Sequence, residues 1–334
     1  MDIETHYYVT FLIAKQAGFS TQDCYKIAYS SQYVDDNSNS YTIYNSDNHK
    51  KYSNIITQTC NIFAPKSFLK KVYTSFHFPP DPFLYRAMRA AKHRKDNTYH
   101  TMNTIAGGSL AHKVLSIALK SNNPYSIGIA SHTFMDSWAH QNFTGTFHSF
   151  NSMLNRAKKH HITNKYNMPL PCCYSIGHMD AADEADTINT QWQDDRLKQA
   201  TIRNNSRFLA ATIALLRQYR SYGTSNKENS NITDKKFMKL ISQIFKDDNI
   251  RNRVESYYNI YNAIANGTII NKYNSTEWLD EAICNKFDLL RLRSFYQWNH
   301  PILYKRSNWY KFQQAAKLHY DLTQRFIKLM YIHI

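Results

Sequence analysis

The stretch Ser131-His132-Thr133-Phe134-Met135-Asp136-Ser137-Trp138-Ala139-His140 decides how this chain is read. At 100° per residue on a helix, positions 132, 136 and 140 fall within about 80° of one another, so two imidazoles and a carboxylate stack on one face over two turns. Ile127, Ile129, Phe134, Met135 and Trp138 surround that face with apolar side chains. The segment is expected to be a buried helix, and buried ionisable groups need partners. Imidazole and carboxylate are ligands that zinc takes, and an Asp between two His can bridge two ions. A plain solvated polar face is the competing reading.

Helical periodicity extends in both directions from this ladder. Residues 5 to 17 place Val9, Leu12 and Ile13 on one side and stop at Gly18. A second helix is expected from Thr21 to Val34, with Ser20 or Thr21 as N-cap and Asp23 in the first turn. Residues 37 to 66, rich in Asn, Ser and Tyr, read as a long loop or a short hairpin. Further helices are expected at 83–94, 102–120, 124–141, 187–221, 234–247, 250–266, 276–297 and 308–332. The linker-like segment 222–233 is taken as a surface loop. The expectation is an all-α fold, one multi-helix domain over residues 1–334 with a metal-site half (1–190) and a basic, aromatic helical half (191–334).

Composition supports helices over nucleotide-binding sheets. The 334 residues include only 8 Gly and 8 Pro, and no G-x-G-x-x-G or G-x-x-x-x-G-K occurs. The net charge is +16, with the larger share in the second half, which suits an anionic partner or simply solubility. The five cysteines, two of them adjacent, make a poor disulfide framework. Met1-Asp2-Ile3-Glu4 has none of the marks of a secretory signal, and the longest apolar run, Phe208 to Leu216, is too short to span a bilayer. A soluble protein, cytoplasmic or exported without a classical signal, is expected.

Other potential ligands fall along the chain: His6 at the start of the first helix, Asp35 and Asp36 at the end of the second, His77 in Ser-Phe-His-Phe-Pro-Pro-Asp, and His178 and Asp186 in Gly-His-Met-Asp-Ala-Ala-Asp-Glu-Ala-Asp. Singly each is weak. Together they supply ligands for more than one ion.

The order His6, Asp35, His77, His132-x-x-x-Asp136, His140, then His178 and a following acid, resembles the zinc-dependent phospholipase C family, whose superfamily includes single-strand-specific zinc nucleases. The opening Met-Asp-Ile-Glu-Thr-His-Tyr-Tyr-Val-Thr and the Gln32-Tyr-Val-Asp-Asp36 segment most resemble its signal-less bacterial branch, which includes a phosphatidylcholine-hydrolysing enzyme. The likeness covers roughly residues 1 to 190. It implies an all-helical fold with three zinc ions in a cleft: Asp35, His77, His132 and Asp136 on one, His140, His178 and Asp186 on a second, and His6 with bridging Asp136 on the third. The sequence departs from the pattern in three places. The terminal amine that holds the third zinc in secreted relatives has no counterpart, so Asp2 or Glu4 is expected to replace it. Asp136 and His140 are four residues apart where six is usual. The acid after His178 stands at +8 rather than +4, leaving Asp183 as a rival to Asp186.

The activity implied is cleavage of a phospholipid at the membrane surface to diacylglycerol and a phosphorylated head group by zinc-activated water, with one of Asp35 and Asp36 ligating and the other orienting the water. A zinc nuclease or nucleotidase on the same scaffold, using the basic excess and the aromatics for nucleic acid, and a non-catalytic helical protein with a structural metal site are the alternatives. No protein partner is inferred. Trp309 and Tyr310, in an aromatic and basic C-terminal segment, are candidates for substrate or membrane contact, although Trp309, Phe312, Ala316 and Tyr320 also suit a core-facing stripe.

Overall fold

A computed structural model describes residues 1–59, 61, 64–153, 175–222, 232–264, 271–288 and 293–331. Cys60, Cys172, Cys173 and residues 223–231 of the 222–233 segment lie outside them. A π-helical turn, Glu4–Val9, runs into helix α1 (Thr10–Ala17), which stops at Gly18. Helix α2 (Thr21–Asp36) begins at Ser20, whose hydroxyl accepts from the Asp23 amide at 3.1 Å. Helices α3 (Lys66–Phe76), α4 (Leu84–Ala91) and α5 (Ser109–Lys120) lead to α6 (Pro124–Ala139), started by Pro124 and capped by the Asn123 side chain. After these come α7 (Asn204–Ser221), α8 (Asp234–Ile244), α9 (Ile250–Ile264), the short α10 (Glu277–Ala282) and the long α11 (Asn308–Tyr331).

The fold is mixed α/β rather than all-α. Strands β1 (Thr42–Tyr44) and β2 (Lys51–Ser53) form the short hairpin allowed by the 37–66 segment. Gln191–Gln193 (β3) pairs with Thr201–Arg203 (β4), and Ile283–Asp288 (β5) pairs with Arg293–Trp298 (β6). One sheet runs β2-β1-β6-β5, with β1 and β6 parallel and its other pairs antiparallel; β3 and β4 form the second. The expected helices 187–221 and 276–297 are therefore half wrong. In β3 and β4 burial alternates with period two, only Trp192 and Ile202 pointing inward, and that is a strand pattern. The aromatic run Phe295-Tyr296-Gln297-Trp298 likewise suits a pleated surface, with Tyr296 opposite Ile43 and Trp298 buried. Helix α3, absent from the expected helices, has the i, i+3, i+7 stripe of Leu69, Val72 and Phe76 on its buried face and Lys66, Lys70 and Lys71 on the exposed one.

One hydrophobic cluster draws on both halves of the chain, joining Leu12, Tyr29, Phe134, Phe208, Tyr257, Trp278 and Trp309. Trp309 is fully buried and its indole donates to the Tyr33 hydroxyl at 3.0 Å, so it does not meet a membrane or substrate. Tyr310 packs against Tyr52, Trp298 and Tyr304. No helix among the described residues is long and apolar enough to cross a membrane.

Helices α2 and α6 cross in close contact. A Cβ at Gly128 would stand 2.3 Å from the Ile27 carbonyl oxygen and 2.6 Å from Ser30 Cβ. Only glycine lets the two backbones come this close, and the approach sets the end of α2 beside the middle of α6. Gly128→Ala is expected to destabilise the chain by about 1–3 kcal/mol through forced separation of these helices, read as a lowered urea midpoint. An unchanged midpoint would mean that the helices do not pack this tightly.

Candidate metal centre

The ladder of α6 forms as the spacing requires. His132 and Asp136 lie within the helix and His140 at its C-cap, where the His140 amide still donates to the Asp136 carbonyl at 2.8 Å. All three side chains are buried. Asp136 Oδ2 lies 3.1 Å from His132 Nε2, 3.2 Å from His77 Nδ1 and 3.6 Å from His140 Nδ1. Its Oδ1 lies 3.1 Å from His6 Nε2 and accepts from the Met1 amine at 2.6 Å. Asp35 comes in from α2, with Oδ1 3.7 Å from both His77 Nδ1 and His132 Nε2 and Oδ2 4.0 Å from His6 Nε2.

A second nest lies beside the first. Asp186 Oδ1 is 2.9 Å from His140 Nε2, and Oδ2 is 3.1 Å from His178 Nε2. The Met1 amine links the nests, standing 3.0 Å from Asp186 Oδ1 as well. Three ligand groups thus converge, His6 with Asp35 and His132, His77 with His132 and Asp136, and His140 with His178 and Asp186; each can hold a metal ion.

The outer ring nitrogens say what the inner ones do. His132 Nδ1 donates to the Ser31 carbonyl at 2.9 Å, His77 Nε2 to the Thr57 carbonyl at 2.9 Å, His140 Nδ1 to the His77 carbonyl at 2.8 Å and His178 Nδ1 to the Ala182 carbonyl at 3.1 Å. A carbonyl can only accept, so these contacts place a proton on each outer nitrogen, and in a neutral ring the inner nitrogen then carries a lone pair. His132 Nε2 and His77 Nδ1 then face each other at 3.1 Å, lone pair to lone pair, above a carboxylate. Such a set is satisfied by a cation, and imidazoles oriented by outer hydrogen bonds are how proteins hold one.

Electrostatics divide the imidazoles: burial opposes the charged form of His77 and His178, yet Asp136 and Asp35 raise the first and Asp186 raises the second. Burial, with the charge of the Met1 amine, lowers His6 to about 4; burial, with His6, lowers His132 to about 4. Both imidazoles stay neutral, the ligating form. Burial raises Asp35. Burial also opposes ionisation of Asp136 and Asp186, yet His140 and the Met1 amine beside Asp136, and the Met1 amine and His178 beside Asp186, hold both well below the usual carboxylate range. For the Met1 amine burial favours the neutral form, and Asp136, Asp186 and Asp35 outweigh it, lifting the amine to about 12.

Four expected site residues stand elsewhere. Asp36 Oδ2 accepts from the Tyr273 hydroxyl at 2.6 Å and from Gln32 at 3.2 Å, so it orients no water beside Asp35. Asp2 caps the first turn through Thr5 and accepts from the Ile188 amide at 3.1 Å. Glu4 forms a two-point ion pair with Arg253, at 2.9 and 2.6 Å, and accepts from the Tyr257 hydroxyl. Neither replaces the terminal amine as expected; the amine of Met1 itself faces the site. Asp183 is exposed at the cavity rim, and the backbone explains why Asp186 displaces it. The turn Met179–Ala185 kinks at Ala182, with φ 47° and ψ −135°, which swings Asp186 back onto His140 and His178.

The groups open onto a cavity of about 520 Å³ lined by Asp35, His77, Asp136, His140, His178 and Asp186 together with Gln58, Tyr73, Phe78, Ile176 and Met179. Phe78 stacks on His140 with ring centroids 4.4 Å apart. Behind it a small cluster of Phe143, Trp192, Leu197 and Ile202 anchors the wall.

His132→Ala and Asp136→Asn are each expected to lower metal bound after dialysis by more than roughly tenfold, since each removes a group central to the site. Asp36→Asn and Asp2→Asn are expected to keep wild-type metal content, because their oxygens are engaged elsewhere. Full retention by the first pair, measured by elemental analysis, would refute the assignment.

Over residues 1–327 the chain matches a family described as a family of unknown function (DUF6765). The curated proteins and the solved structures give no significant match to it. With nearly its whole length covered, this chain belongs to the DUF6765 family.

Proposed function

We propose that the chain is a zinc-dependent phosphodiester hydrolase of the phospholipase C kind, acting on phosphatidylcholine-type lipids. The observation that carries this reading is the convergence of three His/Asp groups beside an open cavity that Asp35, His77, Asp136, His140, His178 and Asp186 line. None of the groups contains sulfur, and such imidazole and carboxylate sets suit zinc at catalytic sites. Three overlapping groups fit the three ions implied by the sequence resemblance. Zinc bound there would lower the pKa of water to about 7 and neutralise phosphate oxygens.

The chain's own residues divide the remaining work. Asp136, 1% exposed, touches four donors and ligand atoms and serves as the fixed bridge of the site. Asp35, 27% exposed, faces the cavity, so its carboxylate can hydrogen-bond an attacking water and hold its proton. Tyr73, Phe78, Ile176 and Met179 give the cavity an apolar flank that admits the glycerol end of a lipid. A zinc nuclease on the same ligands is the second reading, favoured by the net charge of +16.

Zinc-loaded chain is expected to release phosphorylated head group from phosphatidylcholine vesicles, to lose that activity to a chelator, and to regain it with zinc. Asp35→Asn should lower turnover by about 10²–10⁴-fold, the usual worth of a positioned acid or base. Cleavage of single-stranded DNA with no lipid turnover selects the second reading; turnover of neither by a zinc-loaded preparation overturns both.

A further inference from the structure

Helix α4 (Leu84–Ala91) lies outside the metal centre and buries only Ala87 and Ala91. Around its axis Leu84, Met88 and Tyr85 fall within about 100°, next to a sector of Arg89 and Arg86 spanning about 60°, with His93 in the turn that follows the helix. The apolar sector is open to solvent: Leu84 is 44% exposed, Tyr85 66%, Met88 52% and the preceding Phe83 48%. Four large apolar side chains exposed within six residues form a patch, not the scatter of an ordinary surface.

The cationic sector lines a separate cleft of about 860 Å³. Arg86, Arg89, His93, Lys198 and Arg207 reach it and, among the described residues, no carboxylate does. Arg86 is paired with Asp81 at 2.7 Å, and Lys198 donates to the Lys92 carbonyl and to Asn97. Arg89 and Arg207 have no ion-pair partner among the described residues; the Arg207 guanidinium is half-buried and donates to the Ala139 carbonyl at 3.4 Å. Burial lowers Arg207 to about 10 against the pull of Asp194, and its guanidinium lies 5.8 Å from the centre of the Trp192 ring.

We infer that α4 and the adjoining cleft form a docking surface for an anionic lipid bilayer, with Phe83, Leu84, Tyr85 and Met88 entering the interface and Arg89 and Arg207 taking lipid phosphates. An exposed apolar sector flanked by cations on one helix is the pattern of an interfacial helix, and cations beside it are drawn to an anionic surface. A soluble phosphate ligand would use the cleft and leave the apolar sector without a role. The surface deepens the proposed lipid reading and rests on it for its purpose, but docking is measured without turnover.

The test is sedimentation of the full chain with phosphatidylcholine vesicles containing about a third phosphatidylserine. Leu84→Ser/Met88→Ser is expected to weaken vesicle binding by roughly tenfold or more, and Arg89→Gln by roughly fivefold, with binding falling as salt rises. Turnover of a water-soluble phosphodiester should be unchanged in both variants, which separates a docking defect from a catalytic one. Vesicle binding by a chain that turns over no substrate keeps the docking surface and refutes only the enzymatic reading. No vesicle binding by the wild type, or undiminished binding by Leu84→Ser/Met88→Ser, overturns the inference. So does binding of inorganic phosphate or single-stranded DNA, abolished by Arg89→Gln, in a chain that ignores vesicles.

Discussion

The carboxylate of Asp136 is the group around which the rest of this structure is arranged. It is 1% exposed, and a lone ionised carboxylate so placed would cost many kcal/mol unless charges or donors met it. The Met1 amine donates to Oδ1, where His6 also reaches, and the imidazoles of His77, His132 and His140 surround Oδ2, where a bound cation would complete the set. These groups come from the N-terminal turn, the end of α3 and two levels of α6. Bringing them together requires the close α2–α6 crossing at Gly128, the π-helical turn that carries His6, and an end to α3 at His77.

The second nest shows how far the backbone bends for the same purpose. Ala182 holds φ 47°, a conformation that costs a non-glycine residue of order 1 kcal/mol or more. The kink returns Asp186 to the imidazoles of His140 and His178, and the Ala182 carbonyl takes the outer proton of His178. Gly177, at φ 58°, leaves room for Phe78, whose ring would meet a Cβ there at 2.4 Å; Phe78 in turn stacks on His140. A strained residue held beside a set of ligands is a feature of functional sites.

Much of this is legible in the sequence, for identifiable reasons. The 132, 136, 140 ladder comes from helical geometry alone, and α1, α2 and α6 carry clear caps and stops. Of the ligands expected from order along the chain, His6, Asp35, His77, His178 and Asp186 all arrive at the site. The expectations that fail depend on three-dimensional context. Asp36 is adjacent to Asp35, but one residue further round α2 it meets Tyr273 rather than the cavity. Glu4 is free in the sequence until Arg253, far along the chain, claims it. The β3–β4 pair escapes notice because three-residue strands such as Gln191–Gln193 give only one inward side chain each, too short a period-two signal to compete with the helical pattern that begins at Asn204. The basic sector of α4 is visible as charge, while its exposed apolar neighbour is not, because exposure is a property of the packed chain.

The central claim is that these imidazoles and carboxylates hold metal through nitrogen and oxygen alone. Zinc-edge X-ray absorption of the dialysed chain tests it most directly. The account predicts retained zinc with a single shell of light ligands at about 2.0–2.1 Å; a chain that emerges metal-free, or one with a sulfur shell at about 2.3 Å, would contradict it.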